Sequence, residues 1–516
     1  MNTIVITGKK SVWYFVGFLA GIFLLFWKLE DTAGLHRDEA MFGLLTEMIL
    51  EGARPLTGIF NNYTSPVHSY MLAVCVKIFG NSIWSLRCLG PVFTLITIAA
   101  IFDIIRQHST IRARWTSCLL LTFPPIIMLS RLCGEVFVLN PFLFFGTIWI
   151  YVKLCNSSKK SVRITGWGLT GFCLSFGIWN HIIFLPSAVS LVICYALFMW
   201  PGLRRFLLQC APCAIGFSIG LVPRFASMMV LGMDLFPKRP SIPPASLKNA
   251  LLNLLYTLSG DGLYARFSGG SVLPFVWGIP VIVAIFTAMF YFLKHNKSEK
   301  KMFWGIVVFI AINFVGIWQI TPFGSVGSRV WLIIVWMFPI LLGLCLTDVD
   351  KWKFHILGGA MIAVHLPLLA ANYYIPCIRS NGTIEPSVYV GGKTDNTWDY
   401  YDHRQITETL LQSSDAEYIF ISNINVFTFY YLAPENQRHR IKLLWPIILG
   451  GGGDTPEKRI IYDQVTYNGS MPKSALFVFY DTDKDYLDYF SRQSFYNMTS
   501  PDRNITFPGF FIYRLR

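Results

Sequence analysis

The sequence predicts a polytopic α-helical membrane protein with a small α/β domain on the exported side at its C-terminal end. Three observations lead there. Of 516 residues, 54% are hydrophobic and only 14% charged, where soluble domains carry about a quarter charged residues. Long apolar runs alternate with short basic clusters along most of the chain, and the mean hydropathy is +0.49. A final polar stretch then holds three strand-like runs, EYIFIS (417–422), ALFVFY (475–480) and GFFIYR (509–514).

The apolar runs are each about long enough for a hydrocarbon core of roughly 30 Å. Eleven crossings are expected, near 12–28, 84–105, 115–131, 136–154, 164–180, 182–200, 206–230, 272–293, 302–319, 330–347 and 354–374. No small-residue cleavage site follows FWKLEDTAG, so the first run is read as a retained helix rather than a signal peptide. The aromatic content, 16%, suits wide interfacial belts.

Charge orients the spans. The net charge is +14, from 43 basic and 29 acidic residues. The cations sit between apolar runs, as at Lys9–Lys10, Arg106 with Arg112 and Arg114, Lys159–Lys160, Arg204–Arg205 and Lys300–Lys301. That is a positive-inside ladder and not a nucleic-acid patch. It starts the chain inside, and the odd number of crossings places residues 376–516 outside. The apolar segment SPVHSYMLAVCVKIFG (65–80) would invert the ladder if it crossed, so it is expected to lie along the outer surface. The expected domains are thus 1–375, with outer loops 29–83 and 231–271, and 376–516. The second loop reads as turn-rich through FPKRPSIPP and SGDGLYARFSGG.

Several motifs carry little chemistry. Ten of the eleven cysteines lie in or beside membrane helices, so the exported domain has no internal disulfide framework. Cys210-x-x-Cys213 lies in an apolar helix and reads as packing. GGGGD (450–454) lacks the Lys-Ser/Thr of a phosphate loop. Asn381, Asn468, Asn497 and Asn504 stand in glycosylation tripeptides facing outward.

The acids at the outer surface are more informative. Asp38 and Glu39, in LHRDEAMFG, follow the first crossing and open the helical pattern EAMFGLLTEMILEG. Helix capping explains them locally, since Asp is a good N-cap and Glu suits the first turn. A second acid, Glu135 in SRLCGEVF, stands at the same outer level, with Arg131 one turn earlier as an i,i+4 partner. Ionisable groups at membrane depth are costly and are default functional candidates.

Here the chain resembles a known family. A first outer loop beginning Asp-Glu, the segment NNYTSPVHSYMLAVCVKIFG, Arg87 in SIWSLR, SRLCGE, GIWNHIIFLP (177–186) and SRVWLIIVWMFPILLG (328–343) are similar to the GT-C membrane glycosyltransferases. Within them the chain looks most like the protein O-mannosyltransferase and aminoarabinose transferase group, over about residues 10–350 with a tail of similar placement. The resemblance implies transfer of a sugar, with inversion, from a polyprenyl-phosphate carrier to a protein, lipid or glycan acceptor at the outer face. It assigns proton acceptance to Asp38, with Glu39 or Glu135 shaping the pocket. A leaving lipid phosphate needs positive charge where its own charge develops. Candidates for substrate binding are Arg37, His68, Arg131, His181, Lys238, Arg239, Arg266 and Arg329.

Two positions depart from the pattern. Thr64-Ser65-Pro66 stands where aminoarabinose transferases carry Lys-Pro-Pro, and His181 where relatives often have Lys. The sequence assigns no definite cofactor. The resemblance leaves room for a divalent cation between lipid phosphate and acid, although no ligand spacing compels one. The competing class is a transporter or flippase of lipid-linked saccharides, which calls for ionisable groups near mid-membrane and inverted repeats. The notable acids instead cluster at one surface. A non-catalytic scaffold is the third reading.

Overall fold

The computed structural model describes residues 8–31, 34–59, 64–232, 246–258, 278–295, 300–320, 328–345, 352–370, 403–412, 415–422, 425–444, 455–469, 472–480 and 510–515. Apolar runs become helices throughout. The chain enters through α1 (Gly8–Phe26) and then forms α2 (Arg37–Leu50), α3 (Val67–Phe79), α4 (Ile83–Arg87) and α5 (Leu89–Ile105). A bent pair follows, α6 (Thr110–Thr122) and α7 (Pro124–Ser130), whose axes meet at 62°. The break falls at Pro124 and Pro125, which close off the preceding helix. Next come α8 (Glu135–Ile150), extended by a π-turn at Tyr151–Cys155, then α9 (Lys160–Asn180), α10 (Phe184–Phe198) and α11 (Leu203–Leu231). The remainder of the bundle is α12 (Leu247–Leu258), α13 (Ile279–His295), α14 (Lys300–Ile320), a 3-10 turn at Ser328–Trp331, α15 (Leu332–Cys345) and α16 (Trp352–Leu369).

Helices lie at each place where a crossing is expected, several of them shorter than the run that predicts them. Among the described residues, Ile83–Ile105, Glu135–Cys155, Leu203–Leu231 and Lys300–Ile320 are each long and apolar enough to cross a bilayer alone. The bent α6–α7 pair passes the same test jointly. α15 is apolar on every side, and all its residues are buried between α6, α8, α13 and α14. A helix with no polar face belongs at the centre of a bundle.

Close helix contacts depend on small residues. A Cβ on Gly216 of α11 would collide with the Gly168 carbonyl of α9, and one on Gly171 with the Cys213 carbonyl. Gly216 and Gly220 form the small-xxx-small spacing that lets two backbones touch in a membrane. Cys213 therefore sits in a helix seam, and Cys210 and Cys213 are both free thiols.

Two expected surface features take shape. α3 buries His68, Ser69, Leu72, Cys75 and Val76 and exposes Val74, Ile78 and Phe79. At 13 residues it is about 20 Å long, too short to span. The turn-rich stretches FPKRPSIPP and SGDGLYARFSGG of the 231–271 loop lie outside the described residues, and between them the chain forms α12. In LKNALLNLLYTL, Ala250, Leu254 and Leu258 recur at helical spacing and are buried against α7 and the Ser328–Trp331 turn.

The tail builds α17 (His403–Gln412), β1 (Tyr418–Ile421), α18 (Val426–Leu432), β2 (Ile441–Leu443), α19 (Pro456–Val465), β3 (Ala475–Tyr480) and β4 (Phe510–Leu515). The strand order is β2-β1-β3-β4, with β1 parallel to both neighbours and β4 antiparallel to β3. Alternation sorts the two faces. Ile419, Ile421, Leu476 and Val478 join one core with α2 and α3, whereas Phe420, Phe477 and Phe479 pack on the other side with Tyr467 and Tyr513. The tail therefore shares its core with the segment that carries α2 and α3.

That docking is specific. Gly43 of α2 lies so close to the Tyr431 ring of α18 that a Cβ there would come within 2.5 Å of it. Arg438 grips Glu47 of α2 with both terminal nitrogens, at 2.7 and 2.9 Å, and stacks over Tyr430. Asn81 donates to Glu47 and accepts from the Tyr431 hydroxyl, both at 2.6 Å.

Candidate active site at the first turn of α2

The first turn of α2 holds both acids of the Asp-Glu pair, and it treats them differently. The N-cap is His36, two residues earlier than the capping reading places it. Its Nδ1 accepts from the Asp38 amide at 3.1 Å, and Glu39 completes a capping box by accepting from the His36 amide at 3.1 Å. Capping therefore does not need the Asp38 carboxylate. That carboxylate stays 25% exposed, 3.8 Å from His36 Nδ1 and 3.7 Å from Arg37 Nε.

Glu39 is completely buried, and so is its partner Arg87. Arg87 Nε donates to Glu39 Oε1 at 2.8 Å and Nη2 to Oε2 at 2.5 Å. The Cys133 amide adds a third donor to Oε1 at 2.8 Å. Arg87 also donates to the Leu29 and Gly34 carbonyls at 3.1 and 2.9 Å. Bidentate geometry and satisfied remaining groups are what a buried ion pair needs to persist. Glu39 thus fastens the first turn of α2 to α4 and to the turn before α8.

Arg131 has a similar fastening task. Its guanidinium donates to the carbonyls of Leu24, Leu25 and Lys28 at 2.7, 3.0 and 2.9 Å, closing the C-terminal end of α1. A side chain in the last turn usually does this. Here the donor comes from more than a hundred residues away.

Glu135 begins α8 and is 7% exposed. Because Cys133 bonds Glu39, the turn that presents Glu135 is tied to the turn that presents Asp38. Asn180, buried at the end of α9, joins a third segment. Its Nδ2 donates to the Glu135 carbonyl at 3.2 Å and to Asn140 Oδ1 at 3.0 Å, and its Oδ1 accepts from Ser65 Oγ at 3.1 Å. His181 follows, half-buried, with Nδ1 accepting from the Ile183 amide at 3.1 Å. That bond leaves the ring proton on Nε2, so a neutral His181 is a donor.

His68 is fully buried on the first turn of α3 and meets the Phe42 ring edge-on at 5.0 Å. Burial lowers its pKa to about 3, so it is neutral. Neither of its nitrogens has a hydrogen-bond partner among the described residues. Lys238, Arg239 and Arg266 lie outside the described residues, as does the side chain of Arg329, whose backbone belongs to the Ser328–Trp331 turn. Among the described residues no three His, Cys, Asp or Glu side chains group as metal ligands.

The tail contributes to the same place. His403, at the start of α17, is 1% exposed, and its pKa falls to about 3 through burial and then through the nearby His36. Arg404 reaches Glu30 at 3.7 Å. The pairings of His36, Arg87, Asn180 and His403 were not read from the sequence. Asn180 adjoins His181 in the quoted GIWNHIIFLP, but nothing local tells which segments its amide will join.

The architecture matches solved structures. ArnT from Cupriavidus metallidurans bound to undecaprenyl phosphate superposes with a TM-score of 0.60 at 12% identity, covering 98% of each chain. The apo ArnT of the same organism gives 0.56 at 13%, again over 98% of both. The fold is that of these ArnT structures. A family model described as dolichyl-phosphate-mannose-protein mannosyltransferase also matches residues 63–225 of this chain. The matched segment includes α3 to α11 up to Phe225, with Arg87, Glu135, Asn180 and His181. No curated protein matches the chain in sequence.

Proposed function

We propose that the protein moves a sugar from a polyprenyl-phosphate carrier to a protein, lipid or glycan acceptor at the outer face of the membrane, with inversion at the sugar. The observation that carries this is the division of labour at the first turn of α2. Glu39 is enclosed in the clamp with Arg87, while the neighbouring carboxylate of Asp38 remains partly open. Asp38 is the group able to take or orient the acceptor's proton. Glu135, held by the Asn180 network, shapes the pocket beside it.

The solved ArnT with undecaprenyl phosphate supports the carrier class. The family description at residues 63–225 names a dolichyl-phosphate sugar. His181 Nε2 and Arg329 are the proposed donors to the departing phosphate, the latter able to hold two oxygens at once.

The test is transfer from a radiolabelled polyprenyl-phosphate sugar by the protein in nanodiscs. Turnover in the wild type and its loss in Asp38→Asn support the reading. Carrier movement across the bilayer without cleavage of the sugar–phosphate bond would establish the transporter instead.

A further inference from the structure

We propose that Cys75 and Cys88 form a disulfide on the extracytoplasmic side, joining α3 to the α4–α5 junction beside Arg87. The inference rests on the outward orientation of this face, as does the functional reading.

Cys75 lies on the inner side of α3 and is 8% exposed; Cys88 connects α4 to α5 and is 4% exposed. With Leu29 they make a separate small cluster, walled by Trp84 and Leu89. Both are thiols in this structure, enclosed together in that small buried cluster. The Cys88 thiol also points to the Ser85 carbonyl at 3.4 Å. Among the described residues no third ligand makes the pair a metal site. A neighbouring pair of buried thiols in an oxidising compartment is a disulfide precursor.

The location gives the bond a task. Cys88 is adjacent to Arg87, which holds Glu39, and Leu29 supplies both a wall of the thiol cluster and a carbonyl to Arg87. A link between α3 and α4 would fix the backbone from which the clamp is cast. It would also limit the unfolded chain by closing a short loop.

The chemistry balances with a disulfide oxidant of the outer compartment, an oxidised thiol–disulfide oxidoreductase or oxidised glutathione. One cysteine thiolate attacks the oxidant's S–S bond and releases one of its sulfurs as a thiol. The second cysteine thiolate then attacks the mixed disulfide, forming the Cys75–Cys88 bond and releasing the other. The two electrons and two protons leave with the oxidant's two thiols. Because the pair is buried, the exchange belongs to folding, before α3 and α4 close over it.

The full-length protein, isolated from cells, is denatured in N-ethylmaleimide, reduced, labelled with iodoacetamide and mapped by mass spectrometry. Cys75 and Cys88 should carry the second label, and the unreduced digest should contain their joined peptides. Cys118 and Cys345 should carry the first label. In detergent, reductant should lower the Tm of the wild type by several degrees and leave Cys75→Ser with Cys88→Ser unaffected. First-label modification of both residues overturns the proposal, as does a Cys75–Cys133 link or an equal reductant effect on wild type and double variant. Sugar transfer is measured on the same samples. Free thiols with transfer intact remove the bridge alone, and a bridged protein without transfer removes the functional reading alone.

Discussion

Adjacent carboxylates at positions 38 and 39 show how one peptide step decides between chemistry and architecture. Asp38→Asn preserves size and removes the charge that accepts a proton. Transfer should fall by about 10²–10⁴-fold, with Tm unchanged, because His36 and not Asp38 caps α2. Full activity in that variant would remove Asp38 from the chemistry. Glu39→Gln should behave in the opposite way. It leaves the completely buried Arg87 without its counter-charge, a loss of about 3–5 kcal/mol, seen as a lower Tm or poor recovery of folded protein. A Glu39→Gln protein that melts like wild type would contradict the clamp. His68 gives a pH signature. Burial lowers its pKa from 6.5 to about 3, so between those values the unfolded chain binds more protons and stability falls as pH drops. His68→Phe should flatten Tm against pH across roughly pH 4–6; an unchanged slope would assign the acid sensitivity elsewhere. The acids themselves were legible, because charge beside a long apolar run stands out. Their roles were not. Which carboxylate meets Arg87 depends on a residue 48 positions away.

At the scale of elements, hydrophobic runs foretold the helices well, since a long apolar stretch has few other folds open to it in a bilayer. Strands β1, β3 and β4 were equally visible as short apolar runs. β2 was not, because Ile441–Leu443 has only three residues and runs on into the apolar LLWPIIL. α12 was hidden by the Pro- and Gly-rich segments on either side of it. The α9–α11 seam shows what residue type alone can specify: glycines where two backbones meet. Gly216→Leu should force the helices apart, lowering Tm in detergent and the yield of monodisperse protein. Replacing Cys210 and Cys213 with Ala should leave both unchanged. If Gly216→Leu is tolerated, the seam contributes little to the bundle.

Across the whole molecule, orientation is the property from which the reading of the outer face follows. Single cysteines introduced at Lys159 and Asp415, both exposed, should differ in intact cells. A membrane-impermeant maleimide should label position 415 and spare 159. Labelling of both from one side would dismantle the eleven-crossing arrangement and the shared surface of the acids. The contact between Arg438 and Glu47 joins positions 391 apart, and this distance bears on biosynthesis. A ribosome makes Glu47 of α2 early and its Arg438 partner late. Through most of translation α2 has no tail to share its core, and its apolar side lacks a cover. The first loop therefore stays uncovered until Arg438 has been made. A nascent chain halted before Arg438 would present Asp38 on an unsettled helix. Under the role proposed for Asp38, a chain without its tail would hold no settled acid to act with.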